Sequence, residues 1–140
     1  MAYFKLEIAG LLMREGGYSN SSTDLGGETK YGISKKQYPD LDIPSLTSEQ
    51  ASEIYRRDFW DKFRLSEIDN QKLAANVFDM IINMGYTPSI KCLQKALHEI
   101  NTNVSFNMDG ILGTLTIQMV NESDALEIIR ALKLQRILGY

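Results

Sequence analysis

Apolar residues along this chain recur mostly at helical spacing. Phe4, Ile8, Leu11 and Leu12 mark one face of a first helix, and Gly16-Gly17 stops it, which predicts a helix over residues 1–16. The period is then lost. Residues 17–34 are rich in Gly, Ser and Asn, carry Tyr18 and Tyr31 near their ends, and read as short strands joined by a turn. Helical spacing returns after Thr47, which forms a capping box with Gln50 ahead of the stripe Ala51, Ile54, Tyr55 and Phe59. Asn70 caps a helix with Leu73, Val77, Ile81 and Met84 on one face and Gly85 at its end. Thr87-Pro88 predicts a cap with proline at the first helical position, leading into Ile90, Leu93, Leu97 and Ile100. A polar loop over 101–113 ends in DGILG, and Asp124 with Glu127 opens a last helix to about Leu138. The expected architecture is α+β and mainly helical, with one small β-rich lobe after the first helix. The central helix and the one after it supply the core.

At 140 residues the chain fits one domain with a single sizeable core. A hydrophobic fraction of 44% and a charged fraction of 24% are ordinary for a globular protein and argue against disorder. The net charge of −3 does not suggest a nucleic-acid partner. With one cysteine, Cys92, no internal disulfide can form, so packing must carry the stability. The apolar runs are far too short to span a bilayer. The N-terminus, MAYFKLEIAGLLMREGG, does not read as a signal peptide. It lacks a basic start, Lys5 and Glu7 interrupt its apolar stretch, and no small-residue cleavage site precedes the glycines.

The chemistry concentrates where the helical period breaks. Glu15 stands at the end of the first helix, just before Gly16-Gly17. A carboxylate there faces the negative end of the helix dipole, which disfavours its charged form by about 0.3–1 kcal/mol. Glycosidic cleavage needs a carboxylic acid that keeps its proton until the leaving oxygen takes it, so Glu15 is placed as a general acid would be. Asp24 lies in the polar, glycine-rich turn, where it would be solvated and ionised, suited to stabilising positive charge at the sugar carbon or to activating water. Thr29 could hold that water through its hydroxyl. Spacing alone does not decide the matter, because helices often end in a polar residue before glycine and Asp-Leu-Gly-Gly is an ordinary turn sequence.

A resemblance bears on the choice. The pattern E-G-G-Y-x-N-x-x-x-D-x-G-G-x-T-x-x-G-I resembles the signature of the secretion-activator or N-acetylmuramidase family, glycoside hydrolase family 108. More distantly, the acid nine residues after the glutamate and the Thr shortly after it resemble phage-type lysozymes. The likeness continues in IYRRDFWDKF (54–63), VFDMIINMG (77–85) and DGILGTLT (109–116), the last similar to the family's peptidoglycan-binding region. Where the family carries Asp-Pro, this chain has Ser21-Ser22. The resemblance implies a lysozyme-like fold over 1–140, with a catalytic part in 1–76 and a helical part in 77–140 that resembles the wall-binding region. It implies hydrolysis of the β-1,4 link between N-acetylmuramic acid and N-acetylglucosamine in bacterial peptidoglycan, with Glu15 as the matching catalytic glutamate. Asp24 and Thr29 match the lysozyme pattern more loosely. No cofactor and no metal are implied, and a holin or a secretion system would release a protein made in the cytoplasm to act at the wall. A lytic transglycosylase using Glu15 alone, and a non-catalytic wall-binding or structural protein, are the rival readings.

Other residues carry two readings each. Tyr18 and Tyr31 flank the polar turn and suit cleft walls. Tyr55 and Phe59 share the apolar stripe and suit the core, while Trp60 stands off that stripe and fits a sugar-stacking wall or the core equally well. Asn83, four residues after Asp79 on one helix face, either binds sugar or joins Asp79 in supporting the turn that carries Asp24. His98 has no metal-ligand companions and reads as a surface residue, Cys92 reads as a small buried hydrophobe, and Arg56-Arg57 reads as a solvated helix face.

Overall fold

The computed structural model describes residues 1–20, 27–101 and 106–138. They divide into two compact units, one over Phe4–Asp58 and one comprising Met1–Tyr3 with Phe59–Tyr140.

The first unit begins with helix α1, Lys5–Glu15. Gly16 ends it with φ +77°, a left-handed conformation that glycine adopts without a Cβ penalty, and its N–H donates to Leu12 O. Three short strands follow, β1 (Ser19–Asn20), β2 (Glu28–Lys30) and β3 (Ile33–Ser34), antiparallel in the order β1-β2-β3. Register pairs Ser19 with Thr29 and Thr29 with Ser34, so the expected β-rich lobe is a small three-stranded sheet. A 3-10 turn at Ile43–Ser45 leads to helix α2, Ser48–Tyr55, which Thr47 and Gln50 cap reciprocally. Leu11, Ile33, Ile43, Leu46, Ala51 and Ile54 are buried in this unit.

The spacing predicts a helix from residue 1, but α1 starts only at Lys5. Phe4 offers no side-chain cap, and the residues ahead of it find partners in the second unit. Ala2 N–H donates to Ser66 O at 3.1 Å, and Tyr3 exchanges hydrogen bonds with the Gln71 side chain at 2.7 and 3.0 Å. Met1 and Asp69 form an exposed ion pair.

After Tyr55 the helix widens into a π-helical turn, Arg56–Asp61. Like-facing side chains in such a turn stand five apart instead of four, so burial passes from Tyr55 to Trp60 and skips Phe59, which is only half-buried. The second unit continues with a 3-10 turn at Leu65–Glu67 and helices α3 (Gln71–Met84), α4 (Tyr86–Ile100), α5 (Thr114–Glu122) and α6 (Ala125–Ile137). Asn70 and Asp124 cap α3 and α6 through their side chains, as expected. Helix α4 starts one residue ahead of Thr87. Gly85, at φ +90°, ends α3 and opens α4 at once, leaving Pro88 in the first turn, where no intrahelical N–H is missed. Leu73, Val77, Ile81, Leu93, Leu97 and Ile128 are among the core of this unit.

The polar segment DGILG is tightly organised. Gly110 N–H donates to Gln94 Oε1 at 2.9 Å, Asp109 Oδ1 accepts from Ile111 N–H at 2.9 Å, and Leu112 N–H donates to the Tyr86 hydroxyl at 2.7 Å. Gly110 has φ +77° and lies so close to Thr87 that a Cβ would come within 2.7 Å of Thr87 Cγ2.

Candidate active site

Glu15 is the last residue of α1 and is half-buried. The chain turns away through Gly16, and Gly16 O then accepts from Tyr31 N–H at 2.9 Å. That bond brings the β2–β3 turn to the end of α1. The turn is a two-residue hairpin, Tyr31-Gly32, closed by the Lys30–Ile33 pair, and both residues have positive φ, +54° and +79°. Such turns favour the right-handed twist of the strands but normally place Asn, Asp or Gly at the first position. A tyrosine there is a sparsely populated conformation that its surroundings must maintain. The Tyr55 hydroxyl does so from α2, donating to Tyr31 O at 2.8 Å. The Lys30 ammonium lies 5.8 Å from the Tyr31 ring centroid and donates to Pro44 O at 3.0 Å.

Gly32 shows how closely these parts approach. A Cβ there would stand 2.4 Å from the Tyr55 hydroxyl oxygen and 3.1 Å from both Cγ and Oε2 of Glu15. Tyr55 is buried, and burial first, then the nearby Glu15 charge, pushes its phenol far above the ordinary tyrosine range. Sequence reasoning assigned Tyr55 to the core and passed over Gly32. The legible signal was the Tyr-Gly pair between two short strand-like runs.

Thr29 sits half-buried in the middle of β2, directly between Ser19 and Ser34, so three hydroxyl residues line up across one sheet face. Tyr18 is 46% exposed just before β1 and donates to Glu28 Oε2 at 2.6 Å. That hydrogen bond, chiefly, raises the Tyr18 phenol above its ordinary range. Tyr31 is half-buried. Asp24 lies outside the described residues.

The second unit holds the remaining two candidates. Asn83 is exposed in the last turn of α3. Of the two readings left open for Trp60, the structure takes the core over the cleft wall: it is 1% exposed and packs edge-on against Phe78, with ring centroids 5.2 Å apart. The π-turn carried it into the core, and a side chain so enclosed offers no face to a sugar. Phe63 stacks on Tyr86 at 4.1 Å. His98 is exposed and Cys92 half-buried. Among the described residues, no cluster of three or more His, Cys, Asp or Glu could hold a metal, and no helix is long and apolar enough to cross a membrane.

The sequence profile of the family described as Glycosyl hydrolase 108 matches residues 8–85. That span contains every candidate site residue from Glu15 to Asn83 and excludes the DGILGTLT segment. Among solved structures, the chain is similar to the structure of Brucella abortus SagA, with a TM-score of 0.77 and 25% sequence identity over 98% of this chain and 80% of that one. No curated protein matches it.

Proposed function

The chain belongs to the glycosyl hydrolase 108 family, and from that premise we propose that it is an N-acetylmuramidase with Glu15 as general acid. Its class is glycoside hydrolase, with a lysozyme-like fold, and at family level the substrate is peptidoglycan. The proposal goes further, to the β-1,4 bond between N-acetylmuramic acid and N-acetylglucosamine. The observation that carries it is the position of Glu15, half-buried at the end of α1 beside the Tyr31-Gly32 turn and inside the matched span.

In this reading the Glu15 proton passes to the leaving glycosidic oxygen as the bond breaks and positive charge develops at the sugar carbon. Asp24, as carboxylate, directs a water to the opposite face of the sugar, and Thr29 steadies that water through its hydroxyl. The product is a reducing muramic acid end formed with inversion. Tyr18 and Tyr31 offer partly exposed rings for sugar stacking, and Asn83 offers an exposed amide. The DGILGTLT segment serves wall binding, and release through a holin or a secretion system brings the protein to the wall.

The test is digestion of purified peptidoglycan, with the released fragments identified by mass spectrometry and the anomer followed by NMR. Reducing muramic acid ends are expected, and Asp24→Asn should abolish most of their release. Ends of the 1,6-anhydro type, unaffected by Asp24→Asn, would replace this reading with a single-acid transglycosylase. Binding to walls without any fragments would make the protein a non-catalytic wall binder.

A further inference from the structure

We infer that Tyr55 is a positioning residue for Glu15: through the Tyr31 carbonyl it pins the Tyr31-Gly32 turn against the Glu15 side chain and so sets where that carboxyl stands. The inference rests on the reading of Glu15 as the general acid. The turn is held from two sides, by Gly16 O, one residue beyond Glu15, and by the Tyr55 hydroxyl on α2. Between those two anchors Gly32 presses on both Glu15 and Tyr55, at distances that leave no room for even one added carbon.

Three features separate this role from ordinary core packing. The Tyr55 ring could fill its place as phenylalanine, yet a hydroxyl is present and its one hydrogen is committed to Tyr31 O. Tyr55 is 2% exposed, so it acts through the turn and does not touch substrate. Tyr31 keeps φ +54°, a conformation that Asn or Gly would adopt with less strain, and it persists because its N–H and its carbonyl are both engaged. A glutamate has several rotatable bonds, and a carboxyl must meet the leaving oxygen within hydrogen-bond reach to transfer its proton. The wall formed by Gly32 removes part of that freedom before substrate arrives.

Tyr55→Phe removes the hydrogen bond to Tyr31 O and keeps the ring. Hydrolysis of a soluble peptidoglycan oligosaccharide is measured at a temperature where circular dichroism shows the variant folded. A loosened carboxyl should lower kcat by at least about 10-fold, since misplacement by 1 Å can cost about 100-fold, with KM held within about twofold. In a Glu15→Gln background the same change should cost nothing further, because the group it positions no longer transfers a proton. Gly32→Ala attacks the contact from the other side and should lower kcat at least as much, and it carries the test should Tyr55→Phe not fold. Wild-type kcat in the folded variants, a change confined to KM, or an undiminished further loss in the Glu15→Gln background would each overturn the inference. Full activity of Glu15→Gln alone would instead overturn the acid assignment.

Discussion

A carboxyl group at the end of a helix gains nothing from the helix dipole, and a tyrosine in a left-handed turn gains nothing from its backbone. Glu15 and Tyr31 are both placed against local preference, and both lie at the same bend. Local rules fail where a site demands geometry that packing alone would not choose. For Glu15 the demand, under the function proposed above, is chemical. Glu15→Gln keeps the shape and the polarity but removes the transferable proton. Hydrolysis of peptidoglycan should fall at least about 100-fold, the usual scale for a general acid, while wall binding and thermal unfolding stay unchanged. Lysis at the normal rate by that variant would show that the proton comes from elsewhere. Trp60 teaches the opposite lesson at the same scale. Its aromatic face looked available from spacing, and a single widened turn enclosed it beside Phe78.

At the level of elements, most features decided by neighbours in sequence were legible, and those decided by distant partners were not. The caps at Thr47, Asn70 and Asp124 depend on groups two or three residues away, and all three form. The cap at Thr47 can be weighed directly. Gln50 N–H donates to Thr47 Oγ1 at 3.1 Å and Thr47 N–H donates to Gln50 Oε1 at 2.9 Å. Thr47→Ala should cost about 1 kcal/mol and lower the midpoint of thermal unfolding by a few degrees, measured by calorimetry. An unchanged midpoint would mean that water replaces the cap without loss. The start of α1 was misread because Ser66 and Gln71, far along the chain, claim the first residues. The start of α4 was misread because Gly85 serves two helices at once, which Thr87-Pro88 concealed. The three strands were legible as a glycine-rich lobe, yet the Tyr55–Tyr31 bond spans 24 positions and no periodicity announces it. Of the proposed site, Glu15 and Thr29 stand out in the sequence as candidate chemistry, whereas the residues that shape the bend around Glu15 looked like core and turn.

Over the whole chain, the acidic balance and the placement of the tyrosines set how the protein should respond to solution conditions. A net charge of −3 gives no attraction toward an anionic wall, so in the proposed reading affinity comes from contacts at the sugars. The tyrosines set the alkaline limit. Burial and a 2.8 Å hydrogen bond to Asp58 push the Tyr38 phenol from the ordinary 10.0 to about 12, and Tyr55 is pushed up further in the same direction. A phenol whose folded-state value is raised binds its proton more tightly in the native state than in the unfolded one. Its stabilising contribution is therefore complete below pH 10 and is lost as pH climbs through the folded value. Followed by tyrosinate absorbance at 295 nm, Tyr38 and Tyr55 should ionise only above the ordinary tyrosine range. Circular dichroism should fall as they do so, because the Tyr55 hydroxyl cannot ionise and still donate to Tyr31. Tyr38→Phe should make the alkaline loss of stability less steep, since one proton fewer is then linked to unfolding. Ionisation of Tyr38 and Tyr55 near pH 10, with native circular dichroism retained, would show that neither phenol is held as the structure places it.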